Sequence, residues 1–130
     1  MKQFFSSFRF LVGLWAVIVV VWLFALYYNL FFLIWWFDIP LHFLGGVWAC
    51  LFVRYVYVRC GLELQGNGNK IALFVFFVSS VMLIGVAWEF YEFIFDNMGS
   101  LSDTMADLFL DLAGATAAAA IGVMTFFKKV

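Results

Sequence analysis

Four long apolar stretches alternate with short polar segments along the chain. They cover about residues 8–27, 39–58, 71–95 and 103–127. Each is long enough for an α-helix to cross the hydrocarbon core of a bilayer, which takes roughly 20 residues. The pattern predicts an all-α, polytopic membrane protein, a four-helix transmembrane bundle in one domain that comprises residues 1–130.

The breaks between these stretches carry recognisable signals. The apolar run that ends at Phe37 is too long for one span, so residues 28–37, which are rich in aromatic side chains, are interpreted as an interfacial segment. The alternative is one long, tilted helix. Pro40 suits the first turn of the second span, and Asp38 before it is a favoured cap. Ser100 and Asp103 approximate a capping box before the fourth span.

Composition supports a membrane protein. The chain is 68% hydrophobic and 12% charged, whereas a soluble domain is about half apolar and about a quarter charged. The first run is too long for a signal peptide and no cleavage-site pattern follows it. Cys50 and Cys60 are ten helical residues apart, roughly 15 Å, which predicts two free thiols rather than a disulfide.

Charge is segregated along the chain and predicts the orientation. In a four-span topology every Lys and Arg falls on one side, and these are Lys2, Arg9, Arg54, Arg59, Lys70, Lys128 and Lys129. The positive-inside rule then makes both termini and the middle loop cytoplasmic. The opposite side collects Asp38, His42, Glu89, Glu92, Asp96, Asp103, Asp107 and Asp111.

These acids recur at helical spacing within apolar segments. Asp103, Asp107 and Asp111 are four residues apart, so they share one helix face. A carboxylate inside hydrocarbon costs at least ~2.5 kcal/mol. The carboxylates must therefore face protein, water or a cation. We expect Asp111, Glu89 and His42 to converge on one site.

Three arrangements can accommodate these acids: ligation of a divalent cation, protonation, or a position at the solvated rim. The solvated rim is favoured for Asp38, Asp96 and Asp103. For Asp107, both the rim and a functional position inside the membrane are left open. The candidate metal ligands are His42, Glu89, Glu92, Asp107 and Asp111, and the candidate catalytic residues are Glu89 and Asp111. The expected cofactor is a divalent metal ion.

Small residues line the same helices and predict where they approach closely. They are Gly45, Gly46 and Ala49 in the second span, Gly85 in the third, and Gly114, Ala118 and Gly122 in the fourth. The first span has only Gly13 and is expected to pack at the edge of the bundle.

Three ordered motifs carry a family resemblance: Asp38-x-x-x-His42-x-x-x-Gly46, Trp88-Glu89-x-x-Glu92 and Asp103-Thr104-x-x-Asp107-x-x-x-Asp111-x-x-Gly114-Ala115. With these the chain resembles the YjdF-like family of small bacterial inner-membrane proteins and, more distantly, VanZ-like proteins. It departs in having Ile39 where a Lys commonly follows the first Asp, and it lacks the Pro-Gly-Arg-like turn of VanZ-like proteins. The resemblance implies a multi-pass protein of the bacterial inner (cytoplasmic) membrane.

Three functions fit this pattern. The first is a metal-dependent intramembrane enzyme, a hydrolase or transferase that acts on a lipid-linked or envelope substrate. The second is a cation- or proton-binding transport module, and the third is a structural or partner-binding membrane protein without catalysis. The expected partners are the lipid bilayer and that substrate, and no nucleic acid.

Overall fold

Helices make up the fold of the described part of the chain. The computed structural model describes residues 8–61, 70–95 and 100–126. Within them lie α1 (Phe8–Tyr27), α2 (Leu30–Leu33), α3 (Asp38–Arg59), α4 (Lys70–Phe95) and α5 (Leu101–Phe126), without a strand. All but α2 are long and apolar enough to cross a membrane. The predicted all-α class with four membrane-spanning helices is thus confirmed.

The segment between α1 and α3 is bent. The chain turns at Asn29, whose φ of 53° lies in the left-handed region that interrupts a helix. The alternative of one long helix is therefore wrong. Trp35 and Phe32 lie on the surface of this segment, as expected of side chains at a membrane interface.

Asp38 does not cap α3 as predicted. The helix begins at Asp38 itself, after Phe37 in a helical conformation, and no side-chain cap hydrogen bond forms. The carboxylate of Asp38 instead approaches the ring of His42 one turn later. Pro40 lies in the first turn, where its missing N–H costs nothing.

The start of α5 agrees with the predicted cap. The backbone N–H of Asp103 donates to Ser100 Oγ over 3.2 Å, so the serine half of a capping box is present. At the end of α3, Gly61 adopts a φ of 61°, the left-handed conformation that terminates helices. Glu63 and Asp96, and the terminal Lys2, Lys128 and Lys129, lie outside the described residues.

The core is formed by α3, α4 and α5. Its buried cluster consists of Ala49, Cys50, Phe77, Val81, Ala115 and Ala119. The outer faces of the helices expose large apolar side chains such as Val20, Leu83 and Phe109, as expected of surfaces in contact with lipid. Cys50 and Cys60 are both free thiols, as predicted.

Helix α1 packs against α3 at the edge of the bundle. The indole N–H of Trp48 donates to the backbone carbonyl of Leu11 over 2.9 Å. The rings of Phe8 and Tyr55 also meet, with centroids 5.8 Å apart. These contacts place the start of α1 beside the last part of α3.

Two glycines set the distance between α3 and α5. A Cβ added to Gly46 would lie 2.9 Å from the Asp111 Cα and would overlap its carbonyl oxygen. A Cβ added to Gly114 would overlap the Phe43 carbonyl oxygen and lie 3.0 Å from the Val47 nitrogen. The predicted close approach is confirmed here. At Gly122, a Cβ would lie 4.0 Å from Arg54 Cδ, which is an ordinary contact.

Candidate functional site

His42 lies at the centre of a buried cluster of carboxylates. Its side chain is 8% exposed. Nε2 is 3.6 Å from Asp38 Oδ1 and 3.7 Å from Asp107 Oδ1, and Nδ1 is 3.6 Å from Asp111 Oδ1. Carboxylates from two helices therefore approach both nitrogens of one imidazole.

Helical spacing explains why these groups meet. Asp38 is four residues before His42 on α3, and Asp107 is four residues before Asp111 on α5. Each pair lies on a single helix face. The close approach of α3 and α5 brings the two faces together.

Asp111 is held where three helices meet. A Cβ added to Gly85 of α4 would come within 2.7 Å of its Oδ2, and one added to Gly45 of α3 within 3.8 Å of its Oδ1. The absence of a side chain at Gly85 therefore leaves the space that this carboxylate occupies. Asp111 and Asp107 are both buried.

Helix α4 contributes Glu89 and Glu92 to the same site. One ligand atom from each of these residues and one from His42 lie within 4.8 Å of one another. Glu89 is 9% exposed, and its Oε1 has no hydrogen-bond partner among the described residues. Buried polar atoms nearly always have a partner, so this oxygen requires an explanation.

The spacing of these atoms suits a cation. In two groups of three residues, one ligand atom from each residue lies within 4.8 Å of the others. The groups are Asp38 with His42 and Asp107, and His42 with Glu89 and Glu92. The 3.6–3.7 Å separations around His42 are too long for hydrogen bonds. Ligands at ~2.0–2.2 Å from one ion lie roughly 3–4.4 Å apart. An imidazole with carboxylates is a donor set for ions such as Zn²⁺ or Mn²⁺.

The structure brings together most of the candidate residues. His42, Glu89, Glu92 and Asp107 belong to the two groups, while Asp111 contacts His42 but belongs to neither. Asp38, which was assigned to the rim, belongs to one of them. Its i, i+4 relation to His42 was the available signal. Asp103 is exposed, in agreement with a position at the rim.

Two cavities adjoin the cluster. A cavity of about 340 Å³, here called the vestibule, lies between α2 and the ends of the other helices and includes Asn29, Phe32 and Thr104 in its wall. A cavity of about 380 Å³, here called the tryptophan groove, is lined by Trp15, Trp22, Trp48 and Trp88. Asp38 and Glu92 line both cavities.

Comparison with protein families gives a match over almost the whole chain. Residues 3–128 match the family described as "Predicted membrane protein (DUF2238)". The chain belongs to this family. The YjdF-like family is the same domain, so that resemblance is confirmed. No curated protein and no solved structure matches the chain. Membership establishes a membrane protein, which agrees with the four helices, and leaves the chemistry to be inferred from the site.

Proposed function

We propose that the His42 cluster binds a divalent metal ion and that the protein is a metal-dependent intramembrane enzyme. The reaction would be a hydrolysis or a transfer on a lipid-linked or envelope substrate. The observation that supports this most strongly is the convergence of carboxylates from α3, α4 and α5, of which Glu89, Asp107 and Asp111 are buried, on one imidazole. An ion in this place would neutralise charges that are otherwise costly inside a membrane.

The positions suggest a role for each side chain. His42 Nε2, Asp38 and Asp107 would be ligands, because they surround one point. Asp111, on the Nδ1 side, would orient the imidazole, as a carboxylate behind a metal-bound histidine commonly does. This differs from the sequence prediction, in which Asp111 was itself a ligand and a catalytic residue.

Glu89 is the favoured general base. Its Oε1 is buried, without a partner among the described residues, and within reach of the His42 group. A divalent ion activates a bound water or polarises a phosphoryl oxygen. Glu89 Oε1 would hold the proton released there, and Glu92 would complete the ligand set.

Two features favour this function over the other hypotheses. The apolar cluster that includes Ala49, Phe77 and Ala115 lies in the bundle next to the site, so among the described residues no polar path for a transported ion continues through this cluster. In a purely structural cluster, all buried polar atoms should have hydrogen-bond partners. Glu89 Oε1 has none among the described residues.

We expect Asp107→Asn to weaken Mn²⁺ or Zn²⁺ binding at least roughly tenfold, because it removes a charged ligand. Metal per protein after purification and titration of the metal-free protein would measure this. Asp103→Asn is the matched control, since Asp103 is exposed on the same helix. Equal binding by the two variants would contradict the assignment.

The proposed location is the bacterial inner membrane, with the site on its outer side. Arg9 lies near the start of α1, which packs beside Tyr55 of α3. Arg59 ends α3 and Lys70 begins α4. The basic residues of the described part therefore lie at the helix ends opposite the acids, and basic ends favour the cytoplasm.

This orientation predicts the labelling of cysteine. Cys60 is exposed and Cys50 is buried. A membrane-impermeant thiol reagent should leave Cys60 unmodified in intact cells and modify it after lysis. Ser100→Cys, at the start of α5, should be modified in intact cells. The reverse pattern would invert the topology and place the site on the cytoplasmic side.

A further inference from the structure

The tryptophan groove is mostly apolar and the vestibule is lined by carboxylates, so together they match a molecule with an apolar chain and a polar headgroup. The groove runs between α1 and α4, and its wall is mostly apolar, with Ile18, Val19 and Ile84 between the indoles. It reaches His42 and Asp111 at one side. A cavity of about 380 Å³ is within the ~300–1,000 Å³ range of ligand pockets.

The gap between α1 and α4 opens the groove towards lipid. Backbone packing joins α1 to α3, while the Trp22 and Trp88 rings connect α1 to α4, with centroids 6.0 Å apart and nearly perpendicular planes. Two side chains can separate without breaking a backbone hydrogen bond. A hydrocarbon chain can therefore enter sideways from the bilayer.

The charge of the vestibule wall indicates the charge of the headgroup that it can bind. Five carboxylates line it and no Lys or Arg of the described chain does. They are Asp38, Glu89, Glu92, Asp103 and Asp107. A single divalent ion would balance two of these five charges, which leaves an excess of acid. Glu89, which is 9% exposed and whose Oε1 has no hydrogen-bond partner among the described residues, also belongs to this wall.

We infer that the two cavities bind a membrane amphiphile with one hydrocarbon chain in the tryptophan groove and a primary ammonium headgroup in the vestibule. The ammonium donates hydrogen bonds to carboxylates that no Lys or Arg in the described part of the vestibule wall neutralises. Asp103, which is exposed and is not among the proposed metal ligands, is the group best placed to accept them. The inference rests on the proposed function only in placing this headgroup beside the metal ligands.

The test compares three lysolipids with the same myristoyl chain. Lysophosphatidylethanolamine carries a primary ammonium, lysophosphatidylcholine a quaternary one, and lysophosphatidylglycerol none. Native mass spectrometry of the purified full chain in EDTA should show lysophosphatidylethanolamine binding roughly fivefold more tightly than lysophosphatidylcholine, which keeps the charge but cannot donate a hydrogen bond, the size expected of one such bond. Its preference over lysophosphatidylglycerol, which lacks the cation, should be at least as large. Asp103→Asn should reduce this preference to about twofold or less. Equal binding of the three lipids would overturn the headgroup assignment.

A second pair of variants tests the chain site. Ile84 lines the groove and is 40% exposed, whereas its neighbour Leu83 is 73% exposed and is not in the wall. Ile84→Trp should fill the groove and weaken binding of all three lipids roughly tenfold or more. Leu83→Trp should leave it unchanged, and Gly45→Leu provides a second way to fill the groove.

The outcomes separate the two proposals. Loss of metal binding in Asp107→Asn with lipid preference intact supports both. Lipid binding that is insensitive to Ile84→Trp and Gly45→Leu, in variants that still bind metal, overturns the inference alone. Selective lipid binding by a protein that binds no metal overturns the proposed function alone.

Discussion

Gly114→Ala should reduce the free energy of unfolding by about 3 kcal/mol, the upper end of the range for overpacking. The added methyl group would overlap the backbone of α3 at Phe43 and Val47. A side chain can relieve an overlap by changing its rotamer, but the backbone of a helix cannot. The two helices would have to separate, which would also draw Asp107 and Asp111 away from His42. Gly46→Ala should have a similar effect from the other side, against the backbone of Asp111.

Gly13→Ala is the matched control for these two variants. A Cβ at Gly13 would have no atom of the described residues within 4 Å, and alanine favours a helix over glycine by about 1 kcal/mol. This variant should be neutral or slightly more stable. Unfolding in mixed micelles, followed by circular dichroism, would compare the three. Gly114→Ala as stable as Gly13→Ala would contradict the close packing of α3 and α5.

His42→Gln should lower the affinity for Mn²⁺ or Zn²⁺ by at least roughly 100-fold, more than the loss of a group that only supports a ligand. His42 is the one residue shared by both ligand groups. Its removal takes away the nitrogen ligand of the proposed set, whereas Asp107→Asn leaves the imidazole in place. Glutamine keeps a polar side chain of similar length, so the fold should be retained. Calorimetric titration of metal into the metal-free variant would measure the change.

The control for this variant is its stability without metal. If His42→Gln unfolds more easily in EDTA but binds metal as tightly as the parent protein, the histidine is a structural residue. If it remains folded and loses metal, His42 is a ligand. Asp103→Asn, whose carboxylate is exposed, should change neither property.

The fold could be predicted from the sequence because hydropathy and length dominate in a bilayer. Four apolar runs of sufficient length leave the backbone few alternatives to four helices. The bend at Asn29 was harder to predict, since its left-handed conformation follows from local geometry that an aromatic-rich segment does not reveal. Predicted span limits and observed helix ends differ by two residues or fewer where both are described, for example 103 against Leu101.

The sequence could predict most of the residues that lie close together around His42, but not how they are arranged around its ring. Depth along a helix follows from residue number, so His42 and Asp111 could be expected to share a layer. Asp38 was assigned to the rim because its position at a helix start favours a cap, although its i, i+4 relation to His42 also allowed the contact that the structure shows. The side of the imidazole that each carboxylate approaches depends on helix rotation, which spacing along one helix does not determine.

The two cavities could not be predicted from the sequence either, because they also depend on how the helices are placed and rotated. The groove exists because α1 packs against α3 and meets α4 through the Trp22 and Trp88 rings. Four tryptophans distributed over three helices carry no common spacing in the sequence. Their arrangement depends on how the helices are placed, and so does the presence of Asp38 and Glu92 in the walls of both cavities.

X-ray absorption of the zinc-loaded protein tests the central claim most directly, because it reports the atoms bound to the ion. A site at His42 predicts one imidazole nitrogen and otherwise oxygen ligands, at ~2.0–2.2 Å, and the loss of the imidazole signature in any zinc still held by His42→Gln. A first shell of oxygen alone in the parent protein, or an unchanged imidazole signal in that variant, would contradict a metal centre at His42.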